Sequence, residues 1–204
     1  MEDVSVFGVN ANELYSYLNR ISTYDKATYA HSIRVANLSL KIARKLSLGR
    51  ELCDKVYVAG LLHDYGKVKV PKSILLVPRP LTDFEKFCVS LHVKVSVDEI
   101  SKFCSDPDVL DAIRCHHERL NGSGYPYGVS SMSVLAKILC VSDVFDALTN
   151  KRCYKTDFGL DRSFELIKES SGTLFSEEVV NALSEVLKES DGTSHSCFSD
   201  VFPQ

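Results

Sequence analysis

Apolar residues recur at three- and four-residue intervals along nearly the whole chain, and that spacing predicts helices. Asn10 with Glu13 forms a capping pair for a first helix reaching about Ile21. A long helix follows from Asp25 to Leu46, with Gly49 as its stop signal. Residues 50–64 place Leu52, Val56, Ala59 and His63 on one face. Thr82 and Glu85 open a helix carrying Cys88, His92 and Val95 on one stripe. Asp106 before Pro107 starts another, with Val109, Ala112, Ile113 and His116 in register. Residues 133–149 align Val134, Ile138, Val141, Phe145 and Leu148, and two shorter helices are expected near 162–170 and 177–188. No strand alternation extends to a useful length. The pattern predicts an all-α, single-domain bundle of about seven to nine helices.

Polar residues interrupt these stripes in a consistent way. His31 lies four residues from both Ala27 and Val35, and His63 ends its helix directly before Asp64. His92 sits among Cys88, Leu91 and Val95, and His116 closes its stripe with His117 next. Asp143 falls on the Leu135–Leu139 side of its helix. One such histidine is ordinarily a core residue with a hydrogen-bond partner. Five of the six histidines and two aspartates beside inward faces need seven separate partners or one shared cation site. Imidazole with carboxylate suits Fe, Mn, Zn or Ni. Seven ligands exceed the needs of one ion with an open position, whereas a two-metal site about 3.5–4 Å across would use them. Asp64, leaving a helix end with two oxygens, is the bridging candidate. Such sites favour hydrolysis of phosphate esters, and the spacing leads to a metallohydrolase.

Composition narrows this picture further. The 204 residues carry 24 basic and 27 acidic side chains, a net charge of −3, which argues against binding nucleic acid polymers. The first residues lack a basic and apolar signal, and no apolar run approaches the roughly 20 residues of a spanning helix. Seven cysteines form no CxxC pair and read as reduced thiols in a cytoplasmic protein, not bound to a membrane.

Taken in order, LLHDYGK at 61–67, HHERLNGSGYP at 116–126 and VSDVFDALTNKRCYK at 141–155 resemble the HD-GYP subfamily of HD-domain phosphohydrolases. The resemblance runs from about Tyr24 to Val180 and implies the HD-domain type of bundle. It divides the chain into an N-terminal helical extension (1–24), a catalytic domain (25–188) and a polar tail (189–204). It implies hydrolysis of cyclic di-GMP to linear pGpG, with onward cleavage to GMP open, by a metal-bridged hydroxide. His31, His63, Asp64 and Asp143 would hold one divalent ion, Fe or Mn ahead of Ni or Zn. Asp64 would bridge to a second ion held by His92, His116 and His117. Lys67 would face the substrate phosphate, and Asp146, Arg152 and Lys155 would lie near the dinucleotide. Read without the family, Arg152 and Lys155 are equally a solvated charge pair.

Departures from the family pattern sharpen these expectations. Ala27 stands where some members carry a third-metal glutamate, so two ions are expected. Val93 and Ser96 replace a proline and a glycine after His92, and Asn121 replaces an aspartate. Few residues precede the match, so regulation is expected from a partner or from dinucleotide supply. Gly122, Gly124 and Gly128 free the loop to aim Tyr125 at a base or phosphate, with Pro126 stiffening its exit. The same loop links family members to diguanylate cyclase domains. Glu118 and Arg119 are open between a local ion pair and support of the ligands. Alternatives to cyclic di-GMP hydrolysis are another cyclic dinucleotide or nucleotide as substrate, and a dinucleotide-binding or partner-docking protein with negligible turnover.

Overall fold

The computed structural model describes residues 5–6, 9–150 and 159–191. Arg152, Lys155, Cys153, Cys197 and most of the expected tail lie outside the described residues. Ten α-helices are found among those described, α4 being a single turn: α1 (Ala11–Tyr24), α2 (Lys26–Lys45), α3 (Arg50–Leu62), α4 (Lys72–Leu75), α5 (Asp83–Ser90), α6 (His92–Ile100), α7 (Pro107–Cys115), α8 (Val134–Thr149), α9 (Gly159–Lys168) and α10 (Glu177–Asp191). A 3-10 turn, Tyr65–Lys69, follows α3, and Ser5–Val6 pairs antiparallel with Val9–Asn10.

The expected start signals are present as bonds. Asn10 accepts from the amides of Asn12 and Glu13, Thr82 and Glu85 complete a capping box, and Asp106 caps α7 ahead of Pro107. The stop signal after α2 differs from expectation. Ser47, not Gly49, takes the left-handed conformation (φ 56°), because α2 ends at Leu46 and the chain must reverse at the next residue. Gly49 instead precedes α3 as its N-cap.

The single helix expected through Cys88, His92 and Val95 is two helices, broken at Leu91. Two carbonyls in the last turn of α5 are taken by side chains: Ser90 Oγ donates to Phe87 O at 2.8 Å and His92 Nδ1 to Val89 O at 2.6 Å. The inward face of α6 is therefore His92, Val93, Ser96 and Ile100.

Helices α2, α3, α7 and α8 pack about a core that includes Ile42, Val56, Leu62, Ile113, Ile138 and Leu139, all essentially without solvent exposure. Helix α1 buries Leu14, Tyr17 and Ile21 in the same cluster, while α9 and α10 close the far side of α8. Among the described residues no helix is long and apolar enough to cross a membrane.

Candidate metal centre

Five segments deliver polar side chains to one buried point. His31 comes from the middle of α2, His63 and Asp64 from the exit of α3, His92 from the start of α6, His116 and His117 from the exit of α7, and Asp143 from α8. Six of these seven are buried, and only the side chain of His117 keeps a small exposure. The turn carrying Asp64 is held tightly against α6. A Cβ on Gly66 would lie 2.1 Å from the His92 carbonyl oxygen, so only glycine permits this approach. Ser96 finishes the joint: its hydroxyl donates to His63 O and accepts from Gly66 N, each at 2.8 Å. The departure at Ser96 thus pins the helix that carries His92.

Helix ends also orient the imidazoles. The last carbonyls of a helix have no intrahelical partner. His63 Nδ1 donates to Gly60 O at 2.8 Å, His92 Nδ1 to Val89 O at 2.6 Å and His116 Nδ1 to Ile113 O at 2.6 Å. A carbonyl can only accept, so each Nδ1 carries the proton and each Nε2 offers its lone pair inward. His31, in mid-helix, has no free carbonyl below it. Its Nδ1 meets Asp146 Oδ2 at 2.6 Å instead.

Asp64 stands between two groups of ligand atoms. Its Oδ2 is 3.5 Å from both His31 Nε2 and His63 Nε2, and its Oδ1 is 3.3 Å from His92 Nε2. Asp143 is divided in the same way, with Oδ1 3.0 Å from His31 Nε2 and Oδ2 3.3 Å from His117 Nδ1. Each of two sets, His31–His63–Asp64 and Asp64–His92–His116–His117, gathers its ligand atoms within 4.8 Å of one another. His31 Nε2, His63 Nε2 and Asp64 Oδ1 are buried without a hydrogen-bond partner of acceptable geometry. Orphaned donors of this kind, nitrogen and carboxylate oxygen with no thiolate, fit divalent transition-metal ions.

Electrostatics agree with that fit. Burial pushes His63 and His117 below the usual histidine range and His116 down to about 3, leaving neutral imidazoles. Burial also opposes charge on His31, but the Asp143 and Asp146 carboxylates outweigh it and raise its pKa. Asp64 and Asp143 stay ionised despite burial. Lys67, His63 and His92 hold Asp64 low, and His31, His117 and His63 hold Asp143 low. The Lys67 ammonium donates to Asp64 Oδ2 at 2.5 Å.

Behind the ligands, Glu118 and Arg119, which sequence reasoning left open, and Asp146 find their partners. Glu118 is fully buried, and its carboxylate accepts from Tyr127 N at 2.8 Å and Val129 N at 3.1 Å. It therefore shapes the glycine loop. Arg119 donates to the Glu118 backbone carbonyl and to Cys140 Sγ, and no ion pair joins these neighbours among the described residues. Gly124 lies so close that an added Cβ would sit 2.3 Å from Glu118 Cα. Tyr125 donates its amide to His117 O, and its half-exposed ring lies 4.6 Å from the His117 ring. Asp146, expected near the dinucleotide, sits behind His31 with its carboxylate bonded to His31, Arg34 and Asn150. The spacings His31-x-x-Arg34 and Asp143-x-x-Asp146 were the available signal, since each puts two residues on one helix face.

The fold is thus a helical bundle closing on a buried histidine–aspartate cluster whose donor set suits divalent cations. The chain belongs to the HD-domain family, whose sequence profile matches residues 16–179, and it carries the Gly124-Tyr125-Pro126 motif of the HD-GYP branch. A protein from Thermotoga maritima named cyclic di-GMP phosphodiesterase is 36% identical over 87% of this chain and 50% of its own length. The 3′3′-cGAMP-specific phosphodiesterase 1 of Vibrio cholerae is 32% identical over 74% of this chain and 35% of its own. The chain thus spans about half or less of the curated relatives it matches. Among solved structures, an HDG"Y"P protein from Bdellovibrio bacteriovorus superposes with a TM-score of 0.64 at 20% identity, covering 87% of this chain and 62% of that one, a likeness of fold.

Proposed function

We propose that this chain hydrolyses cyclic di-GMP, opening the ring to linear pGpG. One observation carries the reading: Asp64 turns its two oxygens toward two separate groups of ligand atoms, and His31 Nε2, His63 Nε2 and Asp64 Oδ1 among them are buried without a hydrogen-bond partner. His31, His63, Asp64 and Asp143 would hold one divalent ion, and His92, His116 and His117 with Asp64 a second, with Fe or Mn as occupants. When bound, the ions supply Lewis acidity toward water and phosphate oxygen. Ala27 lies exposed one turn before His31 and offers no donor, which supports a count of two.

The surrounding residues have separable tasks. Water adds to phosphorus, the P–O3′ bond breaks and the leaving oxygen takes a proton. Lys67, poised on Asp64, is a cation able to balance phosphate charge and supply that proton. Tyr125, stacked beside His117, offers a face for a base. Arg152 and Lys155 are proposed as further phosphate contacts. Tyr125 and Tyr127, both half exposed, are also the surface proposed for a diguanylate cyclase domain, which co-purification with and without Tyr127→Ala would test. Five free thiols among the described residues, four of them buried, support a reducing, cytoplasmic setting.

The test is anaerobic reconstitution with Fe or Mn and chromatography of cyclic di-GMP. Linear pGpG is expected, and any onward step shows as GMP in the same trace. Unchanged turnover in the His63→Ala/Asp64→Ala double variant overturns the mechanism, and three ions per chain overturn the count. The Vibrio relative named for 3′3′-cGAMP favours a second reading in which that dinucleotide is preferred. Metal ligands carry no base specificity, so a two-substrate comparison of kcat/KM decides. Tight binding without turnover would leave a binding protein.

A further inference from the structure

Three of the four Nδ1-anchored histidines use a helix-end carbonyl three residues earlier in the chain, but His31 relies on a side chain 115 residues away. Asp146 Oδ2 takes His31 Nδ1 at 2.6 Å and Arg34 Nη2 at 2.9 Å. Its Oδ1 takes Arg34 Nε at 2.7 Å and Asn150 Nδ2 at 3.0 Å. Every lone-pair direction of this carboxylate is engaged by the protein, whereas Asp64 Oδ1 is left open. Asp146 is therefore built to hold a neighbour and Asp64 to hold a guest.

Arg34 supplies what Asp146 alone lacks. It leaves α2 three residues after His31, on the same face, and its planar fork grips both oxygens at once. A rotating carboxylate would let the imidazole turn, and a turned imidazole would present the wrong atom to the centre. We propose that Arg34 and Asp146 are positioning residues, a brace that fixes the ring of His31 and thereby sets cation affinity on the His31–His63 side of the centre. The proposal rests on the metal-binding reading above. Lysine cannot reproduce the brace, since its single ammonium cannot span both oxygens in the plane of the carboxylate. The outer edge of Arg34 lines an open cleft of about 290 Å³ with Asn37, Lys41, Thr149 and Asn150, so an exchange to lysine meets no packed neighbour there.

Two readouts on the full chain test the brace, using Arg34→Lys and Asp146→Asn. In the metal-free, 15N-labelled protein, His31 is expected to show an exchange-protected proton on Nδ1. That signal should vanish in Asp146→Asn and broaden in Arg34→Lys, with far-UV dichroism unchanged. In Mn(II) titrations, one of two binding steps should weaken about 10- to 100-fold in both variants while the other keeps its affinity. If Asp146→Asn does not fold, Arg34→Lys carries both readouts. A wild-type His31 without a protected Nδ1 proton, or variants matching wild type in both measurements, overturns the brace. A wild-type protein that binds no Mn(II) counts against the metal-binding reading, and the ring signal then decides the brace by itself.

Discussion

The two sides of the centre share Asp64 and otherwise differ in chemistry. The His31–His63 side brings two imidazoles, Asp64 and the near oxygen of Asp143, and Asp146 stands behind it. The His92–His116–His117 side is dominated by imidazole, with ring centroids 3.9 Å apart for the adjacent pair. Carboxylates hold the pKa of His31 up, while crowding and burial drive that of His116 to about 3. One side is an anionic pocket that attracts positive charge at a distance. The other is a cluster of imidazoles in which burial holds His116 and His117 neutral. A cation-binding pair of sites can thus be built from one shared carboxylate and two different electrostatic strategies.

Removing the shared element should have the largest effect. Asp64→Asn keeps the volume but withdraws charge from both sides, and turnover of cyclic di-GMP should fall by about 10³-fold with both ions lost in metal analysis. Retention of two ions would show that Asp64 joins nothing. Next, His92→Ala should separate the sides. One ion per chain should leave while the His31 Nδ1 signal stays in place, and loss of both ions would make the centre a single unit.

A smaller effect is expected at the loop that depends on Glu118. Gly124→Ala forces a methyl against the Glu118 backbone and should destabilise the protein by about 1–3 kcal/mol in urea unfolding. An unchanged midpoint would mean that the loop moves freely from the ligand helix. The smallest concerns acid. His63, His116 and His117 have folded pKa values below their unfolded value of 6.5, so the unfolded chain binds protons first. Their contribution to the stability of the metal-free protein should be complete above pH 6.5 and decline on acidification toward pH 3, by at most about 1.4 kcal/mol per pH unit per group. His31 acts oppositely but only above 6.5, and a midpoint flat from pH 6.5 to 5 would show that burial does not hold His63, His116 and His117 neutral.

Much of this arrangement is legible in the chain. Helical class, capping residues and the histidine–aspartate set follow from period and spacing, because caps and stripes are local. The split at Leu91 is not legible, since it depends on Ser90 and His92 side chains taking carbonyls that a continuous helix would use. Ser47 defeats the glycine rule: the left-handed position falls on it, and Leu48 N returns to Ala43 O at 3.1 Å to close the helix end. In sequence Glu118 is open between a local ion pair and support of the ligands, and Asp146 is expected near the dinucleotide; their distant partners at Tyr127, Val129, His31 and Arg34 appear only in the fold.

The sequence by itself determined which side chains could bind cations and that helices would carry them, since both depend on residue type and local period. Tertiary structure alone decided which oxygen of Asp64 faces which histidines, and what stands behind His31 to fix its ring. Those choices depend on crossings between helices far apart in the chain, where a burial cost is met only when each polar atom finds its partner in space.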